Sequence, residues 1–229
     1  MALQRVLEPE VMDSEKEANE YNDMDHSVVN QAFVSDLLAF ADSNLEEGYE
    51  LGDVLDLGTG TALIPIELCK RHEDCRVMAI DMAVSMLDLA RYNVEASGMT
   101  QRIVLAQVDA KKMGYDDGNF NVVISNSIIH HIPNPLECVE QLVRVTEEGG
   151  IVFLRDLLRP DDLETLEQLV QTYAGEETEY SQKLFRDSLH ASLSLEELRA
   201  IVQSCGFDPE TVQATSDRHW TWAAIKEES

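Results

Sequence analysis

The stretch VLDLGTGTALIPIEL, Val54 to Leu68, decides the reading. Val54, Leu55 and Leu57 are an apolar run of the kind that forms a short buried strand, with Asp56 set near its end. Gly58 and Gly60 follow, and a glycine backbone can turn tightly there and come close to a ligand. A helix then begins near Thr61, and its first N–H groups have no partner inside the helix. Pro65 lies in the first turn, where a missing N–H costs little.

Outward from this unit the chain alternates. CRVMAID is a second strand and AVSMLDLARYNVEASG a helix with Met86, Leu87, Ala90 and Val94 at helical spacing, closed by Gly98. IVLAQVDA is a third strand, and the turn YDDGNF leads into a fourth, NVVISNS. The helix PLECVEQLVRVTEEGG precedes a fifth strand, GIVFLRDL. Such alternation predicts a doubly wound α/β fold, its parallel strands joined by right-handed helical crossovers and covered on both faces.

Residues 160–192 break the rhythm with two helices and no strand between them, which predicts a helical cap inserted over the open end of the sheet. SLEELRAIVQSCGF restarts the core, with a capping box at Ser194 and Glu197. The tail holds two short strand-like runs, too close for a helical crossover, so an antiparallel pair is expected at the sheet edge, with Trp220 and Trp222 on one face. Residues 1–45 are read as an N-terminal helical segment, and the whole of 1–229 as one domain.

Composition narrows the partners. The net charge is −27, and the first fifty residues carry thirteen acids against Arg5 and Lys16. Such a field repels nucleic acid and anionic membrane, so the expected partner is a small molecule. The N-terminus has acids where a leader needs a basic start, and the apolar runs are too short to span a bilayer, so a cytoplasmic location is expected. The four cysteines form no C-x-x-C pair, and neither a metal site nor disulfides are expected of them.

The acids at the strand ends choose among nucleotides. Asp81 ends the second strand and could accept from both ribose hydroxyls. A dinucleotide would fit so far, but Leu63 stands where G-x-G-x-x-G needs its third glycine. Asp56 beside a pyrophosphate is unfavourable by Coulomb's law, whereas beside a cationic amino-acid head and a sulfonium it is favourable. Asp109 could accept from an adenine amine, the Ala110 N–H could donate to the ring, and Met82 offers a polarizable surface to the ring face.

Taken in order, VLDLGTGTA, VMAIDMAVSML, VLAQVDA and NVVISNSIIHHI resemble the successive motifs of class I S-adenosylmethionine-dependent methyltransferases over about residues 50–157. The resemblance implies a Rossmann-like, mostly parallel seven-stranded sheet whose last strand is antiparallel, with S-adenosyl-L-methionine as cofactor. It implies Asp56, Gly58 and Gly60 near the methionine moiety, Asp81 on the ribose, Asp109 and Ala110 on adenine, and Asn126 near the amino-acid end. The segment EANEYNDMD is similar to those that fold over the cofactor, which makes Tyr21 a contact. Two departures are Ala62 in place of a common third glycine, and Ser127, Ile128 and Ile129 in place of the Pro-Pro-aromatic box of enzymes that methylate bases and glutamine.

The activity so implied is methyl transfer to a small-molecule nucleophile. The protein positions that nucleophile and excludes water, and a base is needed only where the nucleophile carries a proton. His131 is the candidate base, or it merely ends the strand. Arg155, Arg186 and Arg218 each adjoin an acid; they clamp an anionic substrate group, or they form internal salt bridges. His190 falls in the cap and joins them as a substrate candidate. The competing readings are a nicotinamide-dependent oxidoreductase, a non-catalytic binder of S-adenosylmethionine, and a non-methylating user of that cofactor such as an alkyl-group transferase.

Overall fold

The structure is a computed structural model that describes residues 3–9 and 27–227. The strands are β1 (Asp53–Leu57), β2 (Arg76–Asp81), β3 (Ile103–Gln107), β4 (Phe120–Asn126), β5 (Thr146–Leu157), β6 (Val212–Ala214) and β7 (His219–Ile225). They form one sheet in the order β3-β2-β1-β4-β5-β7-β6. Strands β1 to β5 pair in parallel, and β7 runs antiparallel to both β5 and β6. The expected seven-stranded, doubly wound sheet with a reversed last strand is what the chain forms. The sequence order turns back at β1 and β4, and that switch point is where this architecture opens a crevice beyond the strand ends.

Alternation along the strands builds two cores. Val54, Val77, Val122, Ile124 and Phe153 face helices α1 (Ser27–Asn44), α2 (Leu63–Arg71) and α3 (Val84–Ala96). Leu55, Leu57, Val123, Val152 and Leu154 face α4 (Pro135–Val145) and α7 (Leu195–Ser204). Trp220 and Trp222 are both fully buried in the second core, as their shared parity requires. The cap helices α5 (Leu163–Ala174) and α6 (Glu179–Ala191) bury a small core of their own, with Leu166, Leu169, Val170 and Leu189 packed beneath Leu157. The Ser194–Glu197 capping box forms as expected and opens α7. All four cysteines are free thiols, and the Sγ atoms of Cys69 and Cys75 lie 3.7 Å apart.

Two boundaries differ from expectation. Helix α4 stops at Val145, and TEEGG begins β5 instead of ending the helix. Thr146 is β-branched and extended (φ −73°, ψ 133°), its hydroxyl donates back to the Leu142 carbonyl, and Gly149 takes a positive φ. Residues 3–9 are not helical but form an extended strap laid across the cap. The Leu3 N–H donates to Asp161 O, the Val6 N–H to His190 O, and Arg5 spreads its guanidinium over the carbonyls of Ala191, His130 and Ile132. A seven-residue strap that ends in Pro9 gains more from these partners than from an isolated helical turn. Among the described residues no helix is long and apolar enough to cross a membrane.

Candidate active site

Two adjoining cavities open at the C-terminal ends of β1 to β4, and Gly58, Gly60 and Asn126 line both. The larger is also lined by Asp81, Met82, Asp109, Ala110 and His131, with Met86, Val108, Ile128 and Ile132 as apolar walls. The smaller is lined by Asp56, Thr59, Thr61 and Asn30, the last contributed by α1. The eight cofactor positions expected at residues 56, 58, 60, 81, 82, 109, 110 and 126 therefore gather in one place. Tyr21 lies outside the described residues.

The turn after β1 is built on left-handed backbone. Gly58 (φ 66°) and Gly60 (φ 54°) take it at no steric cost. A Cβ at Gly58 would collide with the Cγ2 of Ile128, so the glycine also admits the loop that follows β4. Ala62 takes the same region (φ 62°) as the N-cap of α2, where an L-residue is strained. The departure from glycine at this position is thus a strained one.

Carboxylates ring the opening. Asp81 ends β2 and accepts from the Gly60 N–H at 2.8 Å and the Ala83 N–H at 2.9 Å, which ties the glycine turn to the second strand. Burial acts to raise the Asp109 carboxyl, but the backbone N–H of Lys111 at 2.9 Å and its ammonium at 3.0 Å win and hold it below its ordinary value. Asp56 is buried, and its Oδ2 has no hydrogen-bond partner. Desolvation pushes its carboxyl up to about 7, the Thr59 hydroxyl opposes this, and Asp81 adds to it. A buried, unsatisfied carboxylate oxygen at a cavity wall suits a cationic group and repels a pyrophosphate. The amino-acid head of S-adenosylmethionine meets that demand.

His130 and His131 form a short 3-10 turn just beyond β4 (Ile129–His131). His130 is buried, its Nδ1 2.5 Å from Asp156 Oδ1. His131 lines the larger cavity, and burial, assisted by the neighbouring His130, lowers it to about 4, so it is neutral at pH 7.

The substrate candidates are placed elsewhere. Arg155 bonds Asp36 at 2.7 Å and Thr221 at 2.9 Å and so fastens α1 to the sheet. Arg186 makes a two-pronged pair with Glu167 that joins the two cap helices. Arg218 lies 3.3 Å over the Tyr173 ring and pairs with Asp217. His190 offers its backbone carbonyl to the strap. None of the four lines either cavity. Each of the three arginines is engaged in an internal pair, the second of the two readings open to them, as a chain so rich in acids favours. Sequence reading missed Asn30 and Glu8, which come from segments with no motif of their own.

Residues 50–218 match the methyltransferase-domain family, and the chain belongs to it. This is the S-adenosylmethionine-using class that its four motifs resemble. The chain is similar to 27-O-demethylrifamycin SV methyltransferase of Amycolatopsis mediterranei, 27% identical over 75% of this chain and 60% of that protein. It spans less than two thirds of the length of such curated relatives. Among solved structures, its fold is similar to that of a SAM-dependent methyltransferase from Aquifex aeolicus (TM-score 0.64, 17% identity, 93% of this chain and 98% of that one). It is also similar to a plantazolicin methyltransferase in complex with SAH (TM-score 0.74, 15% identity, 93% and 90%).

Proposed function

We propose that the chain transfers a methyl group from S-adenosylmethionine to a nucleophilic atom of a small molecule. The observation that carries this is the buried Asp56 carboxylate, whose Oδ2 has no hydrogen-bond partner, beside the glycine turn in the smaller cavity, which adjoins the one that Asp81 and Asp109 border. When bound, the cofactor supplies an activated methyl group on a sulfonium. The protein's own part is to hold and orient. Asp56 meets the cationic head, Asp81 the ribose and Asp109 with Ala110 the adenine, while Met82, Met86 and Val108 exclude water from the ring. His131, which lines the larger cavity, is the candidate base where the nucleophile carries a proton. The relative that methylates demethylrifamycin supports a small-molecule acceptor.

Calorimetry with S-adenosylmethionine, S-adenosylhomocysteine and NAD tests the first step. Binding of the first two and not the third is expected, and tight NAD binding alone refutes the reading. Mass spectrometry of products across a metabolite panel tests turnover, with a gain of one methyl group expected.

A further inference from the structure

Beside the larger cavity, three side chains turn their free donor atoms toward one another. Glu8 comes from the strap, and His130 and His131 come from the turn after β4. Glu8 Oε1 lies 3.4 Å from His130 Nε2 and 3.2 Å from His131 Nδ1, and all three atoms lie within 4.8 Å of each other. The side chains are 9%, 4% and 18% exposed, so water hardly reaches them. Glu8 Oε1 and His131 Nδ1 are buried without any hydrogen-bond partner, despite facing each other. Orphaned buried polar atoms are rare, and two that face each other are rarer still.

The two distances to Glu8 Oε1 match those between atoms that share one ion. An N–H···O bond has its mode at about 2.9–3.0 Å. Ligand atoms at the corners of a tetrahedron with bonds of about 2.0–2.1 Å stand about 3.4 Å apart. The atoms behind the cluster are already arranged for ligation. His130 Nδ1 meets Asp156 Oδ1 at 2.5 Å, which leaves Nε2 aimed at Glu8. That carboxylate–histidine pairing is how metal-ligating imidazoles are oriented. Asp156 is itself held by the N–H groups of Leu157 at 2.6 Å and His130 at 3.1 Å. The Ser188 hydroxyl donates to Glu8 Oε2 at 3.3 Å, which leaves Oε1 for the centre.

We infer that Glu8, His130 and His131 form a binding site for one divalent transition-metal ion of the zinc class. Two imidazoles and one carboxylate suit zinc, whereas calcium and magnesium ask for oxygen donors throughout. The fourth position is left to water or another small ligand. The ion ties the N-terminal strap to the turn whose His131 lines the cavity, reinforcing what Arg5 does through carbonyls. Ligation at His131 Nδ1 takes that nitrogen away from any role as a base. The inference stands apart from methyl transfer, because it is read without cofactor or substrate.

The test uses the full chain stripped with a chelator, then titrated with zinc by calorimetry and with cobalt(II) by visible absorption. One zinc per chain and cobalt d–d bands are expected, with affinity falling about 100-fold in Glu8→Ala and in His131→Ala. Glu8→Gln serves where Glu8→Ala fails to fold, and circular dichroism judges folding for all. Zinc should also raise the melting temperature of the wild type and not of the variants. No stoichiometric binding by the folded wild type overturns the site. So does affinity unchanged by the substitutions, which means zinc on adventitious surface groups only.

Discussion

Replacing Asp56 by asparagine should stabilise the ligand-free chain while removing its capacity to hold a cationic cofactor. In the folded chain the carboxyl sits at about 7 against an ordinary value of 3.8, chiefly because burial strips its water. The folded state therefore binds a proton that the unfolded state has already lost. Stability falls with rising pH wherever the folded state holds more protons. A tenfold change in proton affinity is worth about 1.4 kcal/mol, so this group lowers stability by about 4 kcal/mol in all, accumulated between about pH 4 and pH 7 and level above. The asparagine side chain keeps the shape and carries no charge, so the Asp56→Asn protein should gain on the wild type by about 1.4 kcal/mol per pH unit between pH 5 and pH 7. Urea unfolding at pH 5, 6, 7 and 8 measures the difference, and the titrating groups other than Asp81, which acts on Asp56, are common to both proteins and cancel. Calorimetry at pH 8 should show S-adenosylmethionine affinity lost in the same variant. A stability difference that stays flat from pH 5 to pH 8 refutes the desolvation argument, and cofactor binding unchanged at pH 8 refutes the assignment of Asp56 to the cationic head.

Gly58→Ala meets both a left-handed backbone and the Ile128 side chain, so a loss of about 2–5 kcal/mol is expected in thermal unfolding. Adding Ile128→Ala should relieve the clash and leave the backbone strain. Arg186→Ala breaks an exposed pair between the cap helices and should cost less than about 1 kcal/mol, with cofactor affinity unchanged by calorimetry. Asp156→Asn strips the buried partner from His130 and should cost about 3–5 kcal/mol in urea unfolding.

The fold was legible because its signals are local and periodic. Leu55 and Val54 point to opposite cores by parity alone, and the Ser194–Glu197 box marks the start of α7 within four residues. Where a local signal competed with a tertiary one, the reading slipped. VRVTEEGG looks like a helix running out into a glycine stop, yet the pairing of Phe120 with Thr146 draws that stretch into β5. The N-terminal strap carries no period at all, and its course is set by carbonyls of Ala191, His130 and Ile132 that are remote in the chain.

The same distinction divides the site. Asp56, Asp81, Asp109 and Asn126 each stand at or just past the end of a parallel strand, and parallel strands deliver their ends to one rim, so strand order alone gathers them. Arginine beside aspartate in sequence, as at Arg155 and Arg218, carries no such geometric guarantee. In a chain of net charge −27 an arginine is surrounded by candidate carboxylates, and pairing with Asp36 or stacking on Tyr173 costs less than holding a bare guanidinium for a ligand. Glu8 and His130 are still harder to join by reading, since 122 positions separate them and neither lies on a motif of the other. What unites them is the docking of the strap against the cap and the turn after β4, a tertiary event whose physical trace is a pair of buried atoms left without partners. The Nε1 atoms of Trp220 and Trp222 are unpaired inside the core, whereas Asp56 Oδ2 and the Glu8–His131 atoms are unpaired where a ligand can reach, one in the cofactor cavity and the other beside it.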